Sequence, residues 1–222
     1  LGQPLAKLPA PLETLIGQPV DLDKTVFQNY LKANQIAVED IGGSPTNFLA
    51  AKYFVIHDVS APNFLDKPFP TNINDASWSV NRVERWAKTT VAHVFVMRTG
   101  ESTAPHSFVT PWRATKFEIK ILGDKGRGLF VHIELVQPRR SDPTGRKGND
   151  AIAPTPGFTE KQLDRLALLY VNASLAHGTW MVPAYHAAVD TGIPDGHDDP
   201  QHFDLAQWAS RLDALLKSIQ SE

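Results

Sequence analysis

The chain has 222 residues, 42% of them hydrophobic, and its 22 Lys and Arg against 24 Asp and Glu give a formal net charge of −2. These values suit one globular domain, and the interspersed charges of both signs argue against a nucleic-acid-binding surface. No apolar run approaches the roughly 20 residues that cross a bilayer. Cysteine is absent, so disulfides and thiolate metal sites are excluded, and a metal would need His and carboxylate ligands.

Prolines punctuate the first 20 residues, at positions Pro4, Pro9, Pro11 and Pro19. This composition predicts a Pro-rich extension over residues 1–20, followed by a main domain over 21–222. The extension can pack on the domain or partly cover a cleft. The chain begins at Leu1 rather than Met, which favours removal of a leader and a periplasmic, cell-envelope or secreted protein over a cytoplasmic one.

The first half of the chain predicts two helices and two buried strands. The strands are continuous apolar runs over 52–57 and 91–97, which are typical of strands covered on both faces. The helices follow Asp or Ser residues that can cap them, and they are predicted over 21–37 and 75–88. A turn at 99–101 then leads to a more polar edge segment.

The middle of the chain mixes extended and polar segments. Residues 117–122 largely alternate between apolar and polar, which indicates a half-exposed strand or an extended loop. Residues 129–136 form a third buried strand. The segment 138–150 is rich in Pro, Gly and charge, which predicts a polar loop with solvated basic residues.

Two strong helices close the chain. Thr159 and Gln162 form a capping box at the start of the first, and Gly178 can end it. Apolar residues repeat at helical spacing from 205 to 219. Helices and strands therefore interleave, which predicts an α/β fold with a central mixed β-sheet flanked by helices.

Three histidines and a group of aspartates lie in the segment 182–203, which Pro and Gly keep out of regular structure. His186 and Asp199 from this segment, with His57 at the end of the first strand, form a candidate set of three metal ligands. Such a set leaves an open position for water. The alternative from spacing alone is a polar loop whose residues satisfy one another's backbone.

Glu134 is a second unusual residue, because it lies within an otherwise apolar strand. Alternation puts His132 and Glu134 on the same face. Burial would raise the pKa of Glu134 toward the range of a general base. Alternatively, the strand lies at an edge and Glu134 points to water. His93, in the second strand, is either a core histidine with satisfied nitrogens or part of a site.

Five groups of residues resemble, in the same order, the zinc-dependent N-acetylmuramoyl-L-alanine amidases of the type-2 family. That family includes anhydro-muropeptide amidases, phage amidases and the peptidoglycan recognition proteins. The matching segments are Phe54–Phe64, Ala92–Glu101, Val131–Leu135, Phe158–Gln162, and Tyr185–His186 with His197–Pro200. The resemblance implies a single amidase-like domain built on the central sheet.

The resemblance also implies a site and a reaction. Zn²⁺ would be held by His57, His186 and Asp199, and Glu134 would serve as the general base. The substrate would be peptidoglycan or a muropeptide, cut at the amide between N-acetylmuramic acid and L-alanine. Two alternatives stay open: a non-catalytic peptidoglycan-binding protein of the same fold, and a zinc hydrolase that cuts a peptide bond in the stem or cross-link.

The chain departs from the family pattern near the metal ligands. His197 stands where the family often has a Lys that stabilises the oxyanion, so we expect His197 to take a catalytic role that depends on its protonation. The loop before Asp199 is slightly longer than usual, which leaves Asp195 and Asp198 as rival ligands.

Three further residues are candidates for substrate binding. His132 replaces a Gly of the family and places an imidazole near the base. Arg113 lies in a segment that differs from the family's Trp-His-Ala-Gly. His93 belongs to the second matching motif.

Overall fold

A five-stranded sheet lies at the centre of the structure, a computed structural model that describes residues 8–146 and 149–221. The strands among these residues are β1 (Tyr53–Asp58), β2 (Val94–Val96), β3 (Ser102–Thr103), β4 (Phe130–Leu135), β5 (Arg140–Arg146), β6 (Asn149–Ile152) and β7 (Val182–Tyr185). The central sheet has the order β3-β2-β4-β1-β7. Its pairs are parallel except β2 with β3, so the predicted mixed sheet is confirmed.

Helices flank this sheet, which confirms the predicted α/β architecture. The α-helices of the described residues are α1 (Ala10–Leu15), α2 (Lys24–Ala33), α3 (Val83–Trp86), α4 (Glu160–His177), α5 (His186–Val189) and α6 (Leu205–Ser221). Short helical turns occupy Val38–Ile41, Ser79–Asn81, Phe117–Leu122 and Gly123–Gly126. The long helices α4 and α6 pack on each other, and both contribute to the main apolar core.

The two faces of the sheet differ because side chains alternate along each strand. On one face, alternate residues of β1 and β4 are buried in the main core with α4: Phe54, Ile56, Val131, Ile133 and Leu135. The opposite face carries His57 from β1 and, beside it, His132 and Glu134 from β4. Burial of apolar area, at roughly 25 cal/mol per Å², therefore comes mainly from the first face. The second face carries these polar side chains and, along β2 and after β4, a smaller apolar cluster that includes Phe95 and Val136.

The Pro-rich extension packs on the domain over its described part. Leu12 of α1 is fully buried in the main core. The backbone N–H of Gly17 donates to Trp180 O at 2.8 Å, and Trp180 N–H donates back to Gln18 O at 2.9 Å. Residues 8–20 therefore pack on the same side of the sheet as α4 and α6. Residues 1–7 of the predicted extension lie outside the described part.

Local capping signals predict where α4 begins and ends. The Thr159 hydroxyl accepts from Gln162 N, and the Gln162 side chain accepts from Thr159 N. Gly178 ends the helix in the left-handed region with φ 92°. Both predictions are confirmed.

The helix predicted over 21–37 is confirmed at its start and is shorter at its end. The Asp23 carboxylate caps α2 by accepting from Thr25 N and Val26 N. The helix stops at Ala33, and Gln35 takes a positive φ of 55°. That left-handed residue turns the chain, so the helix cannot continue.

The helix predicted over 75–88 is wrong. The chain forms only the turn Ser79–Asn81 and the short α3, with extended backbone at Arg82. The reason lies in the buried Asn81 side chain, which donates to Ile73 O and Asp75 O and accepts from Arg98 N. These hydrogen bonds to backbone outside the Ser79–Asn81 turn compete with a regular helix.

Two further expectations are also wrong. Residues 117–122 form a wide helical turn rather than a strand, and Glu118 within it is fully buried. The segment 138–150 contains the β5–β6 hairpin rather than a continuous loop; residues 147–148 lie outside the described part. The strand predicted over 91–97 is confirmed but shortened to β2.

We expect Thr159→Ala to lower the free energy of unfolding by about 1–2 kcal/mol, because it removes the helix cap. It also removes the hydroxyl that donates to Arg98 O at 2.7 Å. Urea denaturation followed by circular dichroism measures the change. Thr159→Ser keeps the hydroxyl and serves as the control, with a loss well under that of Thr159→Ala. Equal losses in both variants would contradict the capping explanation.

Candidate metal centre

Three parallel strands bring the site residues to one edge of the sheet. His57 lies near the end of β1, the middle strand of the three, and is paired in register with Glu134 of β4. On the other side of β1, Ile56 is paired with Tyr185, so His186 follows directly after β7 at the level of His57. The carboxyl ends of parallel strands are the usual place for a binding crevice in α/β folds.

His57, His186 and Asp199 form a compact buried group, each at most 3% exposed. The Nδ1 atoms of His57 and His186 are 2.9 Å apart. Asp199 Oδ1 lies 3.0 Å from His186 Nδ1, and Asp199 Oδ2 lies 3.8 Å from His57 Nδ1. One potential ligand atom from each residue lies within 4.8 Å of the others. The structure therefore brings the three predicted residues together.

The outer nitrogens of both histidines are already engaged. His57 Nε2 lies 3.0 Å from His132 Nδ1, and His132 Nε2 lies 3.2 Å from Glu118 Oε2. His186 Nε2 lies 3.0 Å from Asp190 Oδ2. Because a carboxylate only accepts, the hydrogen-bond network assigns the N–H of each histidine to Nε2. The Nδ1 lone pairs of His57 and His186 then point into the shared space.

This arrangement fits a cation. Two imidazole lone pairs and the Asp199 carboxylate face one another in a buried space, where their mutual repulsion is weakly screened. A proton can fill the role: burial alone lowers the pKa of His186, but hydrogen bonds to Asp190 and Asp199 outweigh it and raise that pKa to about 10. A divalent metal fits equally well, because two histidines and one carboxylate are a common catalytic donor set.

A buried ion pair holds Asp199 in place. Arg139 donates to both oxygens of Asp58, at 2.9 and 2.7 Å. The backbone N–H of Asp58 donates to Asp199 Oδ2 at 3.1 Å, and the Asp58 carboxylate accepts from Gln201 N. Burial raises the pKa of Asp199, but the hydrogen bond with His186 and the contact with His197 outweigh this and hold its pKa well below the usual range. Asp199 is therefore ionised.

Glu134 lies beside this group with one oxygen unused. Its Oε2 is buried and has no hydrogen-bond partner among the described residues. Burial, followed by the negative charges of Asp199 and Asp58, raises the pKa of Glu134 well above its usual range. A cation held by the three ligands would offset part of that charge. Glu134 therefore has the environment of a proton acceptor and donor.

His197 lies at the exposed rim of the group. Its side chain is 52% exposed, and its Nδ1 lies 3.6 Å from Asp199 Oδ1. Its ring is 4.5 Å from the ring of His186, measured between centroids. The rival candidates Asp195 and Asp198 have other partners: Asp195 lies 3.5 Å from Lys120, and Asp198 accepts from the Gln201 side chain.

The three candidates for substrate binding have different surroundings. His93 and His132 are fully buried. His93 Nδ1 accepts from His132 N, and its Nε2 lies 2.9 Å from Thr110 O, so both nitrogens are satisfied by backbone groups. Both histidines therefore lack an exposed atom for a ligand in this conformation. Arg113 is partly exposed and lies 3.7 Å from Asp124.

Several residues of the site were missed by sequence reasoning. Asp190 contacts His186, and Glu118 contacts His132, which in turn contacts His57. The Asp58–Arg139 pair lies beside Asp199. Only Asp190 had a local signal, because it lies four residues after His186 and the two face each other across one helical turn.

The Glu134 environment predicts a stability cost in the metal-free protein. Glu134 titrates near pH 4.3 when unfolded. Its raised folded pKa favours unfolding as pH rises above that value, while below about pH 4 the acid is protonated in both states. We therefore expect metal-free Glu134→Gln to be more stable than the parent at pH 7, by on the order of 1–3 kcal/mol, and the difference to shrink at pH 4.

Urea denaturation in the presence of a chelator, at the two pH values, measures this difference. Glu84→Gln changes an exposed carboxylate of α3 and is the matched control, with no pH-dependent gain. A Glu134→Gln variant whose stability relative to the parent is lower at pH 7 than at pH 4 would contradict the raised folded pKa of Glu134.

Comparisons with known proteins add no name to this site. Among the described residues, no helix combines the length and apolar character needed to span a membrane. No family model, curated protein or solved structure matches this chain. The resemblance to the type-2 amidases therefore stays a prediction.

Proposed function

We propose that the protein is a zinc-dependent amidase that hydrolyses the bond between N-acetylmuramic acid and L-alanine in peptidoglycan or muropeptides. The observation that carries the proposal is the buried His57, His186 and Asp199 group with Glu134 beside it. The motif order in the sequence supports the substrate. Action in the cell envelope is part of the same proposal.

The donor set supports zinc over the harder cations. Two imidazole nitrogens with one carboxylate suit Zn²⁺, whereas Mg²⁺ and Ca²⁺ favour oxygen ligands. When bound, the ion would supply a positive charge that polarises the scissile carbonyl and makes a water molecule acidic enough to attack at neutral pH. His57 and His186 would bind it through Nδ1, since their Nε2 atoms are engaged.

Glu134 would move the proton. As a carboxylate it takes a proton from the attacking water while the water oxygen bonds to the amide carbon. It then delivers that proton to the amide nitrogen as the carbon–nitrogen bond breaks, which leaves a free carboxylate and the amino group of L-alanine. A raised pKa suits both halves of this transfer, because the group must gain and release one proton at working pH.

His197 would stabilise charge at the rim. Its exposed imidazole lies over the ligand group, where a protonated ring can donate a hydrogen bond to the oxygen that becomes negative. Arg113 remains a candidate for contacts with the substrate. The complete set of three ligands and a carboxylate favours hydrolysis over simple binding.

We expect the purified protein, incubated with muropeptides that carry full stem peptides, to release stem peptides that begin at L-alanine. A strong chelator should abolish the release, and added Zn²⁺ should restore it. Mass spectrometry of the products measures both. Products cut within the stem would instead show a peptidase, and bound zinc without any product would show a binding protein.

We expect Glu134→Gln to lower kcat by about 10²–10⁴-fold, because it removes the proton carrier. Zinc content, measured by atomic absorption, should stay equal to that of the parent. Glu84→Gln on α3 is the matched control and should retain full activity. Parent-like turnover in Glu134→Gln would remove Glu134 from the mechanism.

A further inference from the structure

One short turn, residues 114–118, contacts both His132, which is next to His57, and Asp190, which is next to His186. It leads into the helical turn Phe117–Leu122 and lies between β3 and β4 in the chain. Glu118, within it, is fully buried, as is Thr115. A buried carboxylate is costly unless it is well paired, so its partners indicate what it does.

The first contact runs through His132 to His57. The backbone N–H groups of Ala114 and Thr115 donate to Glu118 Oε2, at 3.2 and 3.0 Å, and the Thr115 hydroxyl donates to it at 2.8 Å. His132 Nε2 lies 3.3 Å from Glu118 Oε1. His132 Nδ1 in turn accepts from His57 Nε2 at 3.0 Å.

His132 has little freedom to move. Its backbone N–H donates to His93 Nδ1, and its ring stacks on the rings of His93 and Phe130 with interplanar angles of 19°. Both ring nitrogens are engaged, and the residue is fully buried. The ring is therefore fixed in the one orientation that joins Glu118 to His57.

The second contact runs through Asp190 to His186. Asp190 accepts from the backbone N–H groups of Lys116 and Phe117, at 3.2 and 2.9 Å. The same carboxylate accepts from His186 Nε2 at 3.0 Å. The turn 114–118 therefore fixes the carboxylates of both Glu118, on the His57 side, and Asp190, on the His186 side.

We propose that Glu118 and His132 are positioning residues that fix the metal-binding atom of His57. In the same proposal, the turn 114–118 aligns this pair with Asp190, which contacts His186. The proposal rests on the metal site assigned in the proposed function. Glu118 fixes the proton of His132 on Nε2, His132 thereby accepts from His57 Nε2, and His57 presents its Nδ1 lone pair to the metal. Such outer hydrogen bonds orient ligands and increase their basicity.

The test measures zinc affinity of the full chain by competition with a chromophoric chelator. We expect Glu118→Gln, which keeps the size and loses the charge, to weaken zinc binding by about 10–100-fold. The Co²⁺-substituted variant should also show a changed visible absorption spectrum, since that spectrum reports ligand geometry. Glu84→Gln is the control and should leave affinity and spectrum unchanged.

A double-mutant cycle separates positioning from a general effect on stability. His132→Phe keeps a ring and removes both nitrogens, and it should weaken zinc binding to a similar degree. Because Glu118 acts through His132, adding Glu118→Gln to His132→Phe should cause no further loss. Independent losses, or unchanged affinity in a less stable protein, would overturn the proposal. If Glu118→Gln does not fold, parent-like zinc affinity and Co²⁺ spectrum in His132→Phe would overturn it alone.

The two proposals fail in different ways. A parent that binds zinc but cuts no muropeptide overturns the amidase, while weakened zinc binding in the variants still supports the positioning role. A parent that binds no zinc at all overturns the positioning proposal together with the metal site.

Discussion

Two imidazole nitrogens and a carboxylate face one another in a buried group, and the surrounding hydrogen bonds keep them there. His57 and His186 cannot rotate away without breaking buried hydrogen bonds to His132 and Asp190. Asp199 is held in turn by the backbone of Asp58. The requirement for a positive charge at this point therefore involves the ends of β1 and β7 and the segment that carries Asp199, and it is present before any ion binds.

Buried charge around this point costs stability, and the fold offsets that cost elsewhere. Asp58 with Arg139, and Glu118 with His132, are ion pairs or hydrogen-bonded pairs that lie almost fully out of water. Buried pairs of this kind are weak contributors to stability, although removal of one partner is costly. The apolar face of the sheet beneath α4 supplies the compensating burial. The main core therefore lies on the opposite face of the sheet from His57 and Glu134.

Sequence reasoning succeeded where the signal was local. The apolar runs predicted β1 and β4, and the capping box at Thr159 predicted the start of α4. It failed where distant contacts decide the backbone. Asn81 interrupts an expected helix by hydrogen bonding to the backbone of Ile73, Asp75 and Arg98. Residues 117–122 alternate like a strand, although Glu118 is buried against Thr115 and His132. The grouping of His57, His186 and Asp199 could be predicted from a strand end, from spacing and from the family resemblance. Glu118 could not, because its role depends on a histidine that follows it by 14 residues and lies on another element.

The alternation of side chains between the two faces of β4 also limits which sequence changes this strand can accept. A single-residue insertion or deletion within this strand would exchange its two faces. Ile133 would then turn toward the ligands, and Glu134 would turn into the apolar core beneath α4. Substitutions that keep volume on the core face are tolerable, whereas a change of length within the strand would disrupt the core and move the Glu134 carboxylate away from His57 together. Length variation should therefore concentrate outside the strand, in segments such as the β5–β6 hairpin.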